Sequence, residues 1–310
     1  MIGLRNVLMV SILGFLGAVG CSTEPESGGG APKSSGAKKI AKKTDAAAGD
    51  ATKEAKDSPF ELGGNTGSGS GSKLAATPNS WCAAAGKTAI VKNPKHAEQY
   101  AQLCTASGTA TQRFVDLLSQ PYAGGGAPVP VELTPMVTTK GQVAAFFGGA
   151  LKMPVTAEKH YTTLAPKEGD LENQRAMASF QGQTPGNIVI TALPANADSG
   201  WDRGWRIDKD GSQKVSVMTI RTTYSENAEH YNLGNGHYMY VSTLVETKST
   251  IKDYQVLTAM IDVGGKAHTV SIASVVVDDY GVPATAKTSL TGTFARTIQF
   301  LYNGAVNAAR

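Results

Sequence analysis

The stretch Tyr238-Met-Tyr-Val-Ser-Thr-Leu-Val245 decides the fold, because successive side chains of an extended chain point to opposite faces of a sheet. Its even positions, from Tyr238 to Leu244, fall on one face, and its odd positions fall on the other. Two more alternating segments follow, residues 252–263 and 268–277, and Gly264-Gly265 between them suits the positive φ of a hairpin turn. These segments predict the long strands of an antiparallel meander.

Shorter segments extend this meander toward the N-terminus. Residues 188–193 predict a first strand, and residues 205–208 and 213–224 predict a hairpin that turns at Asp208-Lys-Asp-Gly211. With the three long segments, the meander contains about six strands.

The region before the meander mixes strand and helix signals. Residues 129–137 predict an edge strand, because Pro130 and Pro135 exclude it from the centre of a sheet. Residues 140–151 predict a short apolar helix, and residues 156–184 are expected to be irregular or weakly helical.

The end of the chain changes to a helical period. A single stripe of a long C-terminal helix carries Leu290, Phe294, Ile298, Leu301 and Ala305. This stripe must be buried against the sheet, so the predicted class is α+β, with a curled antiparallel sheet packed on a long C-terminal helix.

This order of elements, over about residues 129–308, resembles the helix-grip fold of the START-like superfamily. The resemblance is one of inferred topology, without a family motif, so it implies function only by analogy. It implies an apolar cavity between sheet and helix, in which members of the superfamily bind lipids, hormones or polyketides. A cystatin-like or other open α+β sheet with a helix on one face is the alternative.

The resemblance implies a set of ligand-binding residues in that cavity. Phe294, Ile298 and Leu301 would line it, with Tyr238 and Tyr240 at its wall. A separate aromatic cluster, Trp201-Asp-Arg-Gly-Trp205, either stacks on a sugar or lines the mouth of the cavity, or it covers the end of the sheet.

The N-terminus carries a targeting signal. Arg5 precedes an apolar run of about thirteen residues, too short for a transmembrane helix, and small Gly20 precedes Cys21. This stretch resembles a bacterial lipoprotein precursor, with Ala18 where Leu is commonest. The resemblance implies a signal peptide over residues 1–20, a lipid anchor on Cys21 and a location in the cell envelope, and Ser22 favours the outer membrane. The alternative is an ordinary secreted protein in which Cys21 is incidental.

Residues 21–79 contain almost no large apolar side chains, which is typical of a disordered linker. Residues 80–126 then predict a helical segment, in which Asn93-Pro94 starts one helix, and residues 127–310 form the α+β domain. With Cys21 assigned to lipid, Cys82 and Cys104 remain as an even pair in an oxidising compartment, so we expect a disulfide. A redox pair is the alternative, although the spacing is not Cys-x-x-Cys.

Catalytic and metal motifs are incomplete. Gly86-Lys-Thr88 resembles the end of a phosphate-binding loop, but Trp81 stands where the first glycine is needed. His230 and His237 with nearby carboxylates suggest zinc, yet a Gly/Asn-rich loop explains them equally, and Asp208–Gly211 lacks the oxygen ligands of a calcium loop. Ser249-Thr-Ile-Lys252 has none of the partner motifs of a serine acylase. We therefore expect no catalytic residues, no metal and no cofactor.

The net charge of +4 is modest, and the folded part has no basic stripe, so nucleic acid is not an expected partner. The sequence predicts a membrane-anchored envelope lipoprotein that acts as a non-enzymatic binding module for an apolar small molecule or lipid. The alternative is a structural or assembly lipoprotein that binds a protein partner in the envelope.

Overall fold

The computed structural model describes residues 76–119, 130–139, 141–194, 201–215, 218–278 and 283–309. The predicted signal peptide, Cys21 and nearly all of the predicted linker lie outside these residues. Six α-helices are present in the described ranges: α1 Pro78–Ala85, α2 Pro94–Leu103, α3 Gln112–Ser119, α4 Ala157–Glu168, α5 Leu171–Phe180 and α6 Pro283–Ala309. A short 3₁₀ helix, Ala89–Lys92, joins α1 to α2.

Over the same ranges the strands are β1 Val131–Thr139, β2 Gln142–Lys152, β3 Thr184–Ala192, β4 Arg203–Val215, β5 Met218–Gly234, β6 His237–Thr247, β7 Ile251–Val263 and β8 Lys266–Asp278. They form one antiparallel sheet in the order β1-β2-β8-β7-β6-β5-β4-β3. Strands β3 to β8 are the predicted meander, and the α+β prediction is confirmed.

The sheet edges are built to avoid further pairing. Strands β1 and β3 lie at the two edges, and each contains a proline, Pro135 or Pro185, and a break in register. A proline removes a ladder hydrogen bond and a bulge twists the edge, which discourages association with another strand. The predicted hairpin at Gly264-Gly265 is present, with φ values of 61° and 79°.

Helices cover both faces of the sheet. We call the face that contacts α4, α5 and α6 the inner face, and the face that contacts α1, α2 and α3 the outer face. Side chains of β6 alternate between them: Tyr238 packs with the inner cluster, and Met239 and Val241 with the outer cluster. The chain is therefore a three-layer arrangement with the sheet in the middle.

The predicted helical segment packs on the outer face. Trp81 is fully buried, lies edge-on to Phe114 at 5.6 Å between ring centroids, and donates from its indole Nε1 to the Tyr238 carbonyl at 2.9 Å. Cys82 and Cys104 form the predicted disulfide, with their Cα atoms 5.6 Å apart, and thereby join α1 to the end of α2. The helical segment is thus attached to the sheet by packing as well as by the chain.

Residues 140–151 were predicted as an apolar helix, and this prediction is wrong, because they form β2. The strand pairs with β1 and β8 and is covered on both faces, and seven of its eleven residues are buried. A continuous apolar run of this kind does not distinguish a buried strand from a helix. Residues 156–184, expected to be irregular or weakly helical, contain α4 and α5.

The predicted turn at Asp208–Gly211 is also wrong, because β4 continues through it to Val215. Likewise, the suggested loop between His230 and His237 is mostly strand β5, and only Gly234-Asn235-Gly236 turns, with positive φ at all three residues. Within the described residues, no helix is long and apolar enough to cross a membrane.

Candidate ligand-binding site

The inner face receives five of the residues that the sequence predicted as ligand contacts. Tyr238 and Tyr240 project from β6, and Phe294, Ile298 and Leu301 lie on α6. Phe294 stacks with Phe147 at 6.3 Å between ring centroids, and Ile298 is 3% exposed. Phe294 and Ile298 therefore close the layer between α6 and the sheet.

Gly149 of β2 permits this close approach. A Cβ atom added there would lie 3.2 Å from Cδ1 of Ile298 and 3.3 Å from Cε1 of Phe294. The position contains no side chain because α6 occupies that space.

Leu301 lines a cleft of about 260 Å³ between α4, α5 and α6, which we call the helix cleft. Its apolar lining consists of Leu164, Phe180, Phe300, Leu301, Gly304 and Ala305. Its polar lining consists of His160, Thr163, Lys167, Asn173, Asn303 and Asn307. Phe180 and Phe300 form one wall, with ring centroids 5.7 Å apart.

His160 is the buried polar group of the helix cleft. It is 3% exposed, and its Nε2 has no hydrogen-bond partner among the described residues. Burial, and to a smaller extent the positive charge of Lys167, lowers the pKa of His160 to about 4. The imidazole is therefore neutral at pH 7, and its Nε2 is a buried polar atom without a partner beside the helix cleft.

A second polar group, which we call the ionic cluster, lies between β4, β5, β6 and α4. Its members are Lys209, Glu226, Ser242 and Glu168. The Lys209 ammonium is 2.6 Å from Oε1 of Glu226, and the Ser242 hydroxyl donates to Oε2 of Glu226 at 3.0 Å. Removing such charges from water is costly unless they are paired and hydrogen-bonded, as these are.

The charges of the ionic cluster shift the pKa values of its own members, Lys209 and Glu168. Burial is the largest single influence on the pKa of Lys209 and lowers it, but the charge and hydrogen bond of Glu226 together with Tyr224 and Glu168 outweigh burial, so that this pKa is raised above its usual range. Burial, followed by the charge of Glu226, raises the pKa of Glu168 to about 7. Glu168 is 4% exposed and accepts a hydrogen bond from the Gln174 amide at 3.1 Å. It is the carboxyl here that gains or loses a proton near neutral pH.

Aromatic rings surround the ionic cluster. The Lys209 ammonium lies 5.6 Å from the centroid of the Tyr224 ring, which favours a cation. Tyr224, Tyr240 and Tyr254 are deeply surrounded by protein atoms, yet each keeps some solvent-accessible surface. The sheet and the helices therefore do not close completely around these rings.

His230 adds two further unsatisfied polar atoms on the inner face. It is fully buried between the rings of Tyr161 and Tyr240, and neither ring nitrogen has a hydrogen-bond partner in the described part of the chain. Burial, followed by the charge of Arg203, lowers the pKa of His230 to about 3.

The structure separates two pairs that the sequence placed together. Trp201 packs against the outer cluster and Trp205 against Ile188 and Ile207 on the inner face, so the two indoles cannot stack on one ligand. His230 faces the inner side, whereas His237 accepts or donates a hydrogen bond with Ser80 of α1 at 2.8 Å on the outer side. Among the described residues, no group of three His, Cys, Asp or Glu side chains is arranged to hold a metal.

Sequence reasoning missed His160, Lys167, Glu168 and Lys209, and it considered Glu226 only as a carboxylate of the suggested zinc site near His230. The first three lie in residues 156–184, where no helix was firmly expected. Lys209 was assigned to a turn, although in a strand it alternates with outward-facing Asp208 and Asp210 and therefore points inward. The alternation of Asp208, Lys209 and Asp210 was the sequence signal that could have indicated an inward-facing lysine.

Comparisons with known proteins give structural similarity only. No protein-family model matches the chain, and no curated protein matches it in sequence. Among solved structures, TTHA0849 from Thermus thermophilus aligns at 10% identity and a TM-score of 0.38, over 53% of this chain and 99% of that one. The Zhui aromatase/cyclase from Streptomyces sp. R1128 aligns at 13% identity and a TM-score of 0.37, over 54% of this chain and 94% of that one. Human STARD10 aligns at 11% identity and a TM-score of 0.38, over 56% of this chain and 73% of that one.

Proposed function

We propose that this protein is a non-enzymatic binding module of the bacterial cell envelope, which holds an apolar small molecule in the helix cleft. The observation that carries the proposal is the helix cleft itself. Most of the exposed surface of its wall is apolar and lies around Leu301, and six of its twelve lining residues, His160 and Lys167 among them, are polar. Small-molecule sites likewise combine a mostly apolar surface with polar groups.

The size of the helix cleft limits the ligand. Pockets that bury drug-sized ligands have volumes of roughly 300–1,000 Å³. At about 260 Å³, the helix cleft suits a smaller molecule, such as a short chain or a single ring. The packed contact of Phe294 and Ile298 with β2 separates it from the rest of the inner face.

Attachment to the membrane is part of this proposal. Lipid on Cys21 would anchor the chain, since two or more acyl chains are needed for stable attachment. A linker of Gly/Ser-rich character over residues 21–79 would place the folded part roughly 40 Å from the bilayer on average. Ser22 supports the outer membrane as the location.

Native mass spectrometry tests the binding proposal. The full chain carrying Cys21→Ser is purified from an oxidising compartment and measured under gentle and then denaturing conditions. We expect a bound small-molecule mass that is lost on denaturation. Leu301→Trp fills the helix cleft and should abolish the adduct, whereas Val245→Trp, at an outer-face position that is 42% exposed, should retain it. A clean unliganded mass for the Cys21→Ser chain would contradict the proposal.

The anchor is tested separately. The unaltered chain should incorporate labelled fatty acid and sediment with membranes, and Cys21→Ser should lose both properties. Retention of the label in Cys21→Ser would reject the lipoprotein interpretation while leaving the helix cleft proposal untouched.

A structural or assembly role with a protein partner is the second candidate. It is favoured by an open groove of about 410 Å³ across β3, β4, β5 and β6 on the outer face, where no helix lies among its lining residues. Val189 in this groove is 46% exposed. If this role is correct, Val189→Lys should abolish cross-linking to an envelope partner, and Leu301→Trp should not affect it.

A further inference from the structure

We propose that the helix cleft selects an amphiphile with one negative charge, whose anionic head is held by Lys167 and whose apolar body lies along Leu301. This inference rests on the proposed binding function and specifies its ligand class. It is carried by the charge of the lining, the placement of Lys167 and the orientation of the Asn303 amide.

The charge on the described lining of the helix cleft is positive. The described residues around the helix cleft include Lys167 and no aspartate or glutamate. His160 is neutral at pH 7, because burial lowers its pKa. An anionic head would therefore meet a cation and no opposing carboxylate, whereas a cationic head would meet a like charge.

The position of Lys167 follows from a glycine of α6. A Cβ atom added at Gly304 would lie 3.2 Å from the Lys167 ammonium nitrogen, so the absence of a side chain lets this lysine lie across the helix. Lys167 is half-buried at the cleft and has no ion pair in the described part of the molecule. Its ammonium is available to a ligand.

The carboxylates that follow Lys167 closely in sequence are engaged elsewhere. Glu168, the adjacent residue, is buried in the ionic cluster and accepts a hydrogen bond from the Gln174 amide at 3.1 Å. Asp170 accepts from the backbone N–H of Asn173 at 2.7 Å and so caps α5. Glu172 accepts from the Arg175 guanidinium at 3.0 Å. None of the three is a lining residue of the helix cleft.

The side-chain amide of Asn303 adds hydrogen-bond donors to the lining of the helix cleft. The Asn303 side-chain oxygen accepts from the Gln299 amide at 2.9 Å, which leaves the Asn303 NH₂ group to donate. An ionised carboxylate only accepts hydrogen bonds, and bonds to charged groups are about twice as strong as neutral ones. The apolar body of the same molecule would lie on Leu164, Phe300 and Leu301.

Matched ten-carbon amphiphiles test the charge preference. Decanoate, decan-1-ol and decyltrimethylammonium are titrated by calorimetry, below their micelle concentrations, into the full chain carrying Cys21→Ser. We expect decanoate to bind about tenfold more tightly than decan-1-ol, as befits one charge-assisted contact, and the cation to bind most weakly. Equal affinity for decanoate and decan-1-ol would overturn the inference and leave the binding proposal standing.

Variants test whether Lys167 causes the preference for decanoate and whether Leu301 lines the site that binds it. Lys167→Met should lower decanoate affinity about tenfold to the level of decan-1-ol, without changing decan-1-ol binding. Lys159→Met removes an exposed lysine of the same helix and should change neither. Leu301→Trp should abolish binding of both amphiphiles. A Lys167→Met variant that keeps its preference for decanoate would reject Lys167 as the site of the anion.

A second arm identifies the source of the anion. Vesicles of phosphatidylglycerol and of phosphatidylcholine are mixed with the same chain and separated by flotation. Binding to phosphatidylglycerol that requires both Lys167 and Leu301 assigns the ligand to anionic membrane lipid. Binding of decanoate alone assigns it to a free carboxylate. If neither decanoate nor phosphatidylglycerol requires Lys167, the inference fails.

Discussion

The two faces of the sheet are covered in different ways. On the outer face, Trp81 and Phe114 are fully buried, and a disulfide holds α1 to the end of α2. On the inner face, α6 packs mostly with half-buried side chains, and a charged pair lies between the layers. The outer face resembles an ordinary protein core, whereas the inner face combines apolar packing with groups that are expensive to bury.

Unsatisfied polar atoms occur on both faces among the described residues: Trp201 Nε1 and His237 Nδ1 lie on the outer face, and the inner face has more of them. Several inner-face groups have no hydrogen-bond partner among the described residues: His160 Nε2, Gln174 Oε1, both nitrogens of His230, Thr269 Oγ1 and Gln299 Oε1. Such atoms cost stability unless water or a ligand satisfies them. Among the described residues, the inner face therefore carries more buried polar atoms without partners than the outer face.

Truncating one phenylalanine on each face should give the largest difference between the two faces in the free energy of unfolding. Phe114→Ala creates a cavity in a fully buried site and should cost about 4 kcal/mol. Phe294→Ala should cost less than about 2 kcal/mol, because that ring is only half-buried in the folded protein. Urea unfolding of both variants measures the two values. Equal losses would show that the faces are packed equally well.

The ionic cluster should give the next largest effect. Lys209→Met leaves the buried Glu226 carboxylate without its ammonium and should cost about 3 kcal/mol. Adding Glu226→Leu removes both charges and should recover most of this loss, since apolar replacements of a buried pair are often neutral or stabilising. A double variant as unstable as Lys209→Met would mean that Glu226 contributes through contacts other than this pair.

Glu168 should give the inner face an unusual pH dependence. Its pKa is raised to about 7 by burial and then by Glu226, so the folded state binds this proton more tightly than the unfolded state does. The stability that the proton contributes is complete below the unfolded pKa and is lost as the pH rises through 7. His160 and His230, whose pKa values are lowered, contribute in the opposite sense and lose stability as the pH falls.

Comparison with a variant isolates the Glu168 effect. Between pH 5 and pH 8, the unaltered protein should lose about 2 kcal/mol relative to Glu168→Gln. Urea unfolding of both proteins at each pH measures this difference. Glu172→Gln, at a side chain that is 79% exposed, serves as the control and should show no such change. A constant difference between the unaltered protein and Glu168→Gln would place the titration outside this pH window.

The sequence predicted the parts of the fold whose signal is local. Strands β6, β7 and β8 alternate clearly, Gly264-Gly265 marks their hairpin, and the stripe through Ile298 marks α6. Strand β2 was not predicted, because burial on both faces removes the alternation of apolar and polar residues. The need for glycine at position 149 is explained only by the close approach of α6.

The candidate site was less accessible to prediction. Leu301 was anticipated from its stripe, but the helix cleft also needs α4 and α5, which carry weak periodicity. Lys209 and Glu226 become partners only through the register of β4 against β5, so no spacing in the sequence reveals the pair. Long-range pairing, and not local propensity, creates the chemistry of the inner face.

Adjacent residues of β6 provide the smallest and most direct comparison of the two faces. Ser242 points inward and donates to the Glu226 carboxylate at 3.0 Å, whereas Thr243 points outward, with Oγ1 at 2.6 Å from Nε2 of His96. Ser242→Ala removes a bond to a charged group and should cost about 2 kcal/mol, and Thr243→Val removes a bond to a neutral imidazole and should cost about 1 kcal/mol. Urea unfolding of the two variants at pH 7 measures both values. If the order were reversed, the hydrogen bond of the outer face would contribute more than that of the ionic cluster, and the inner face would depend less on its charges than its geometry indicates.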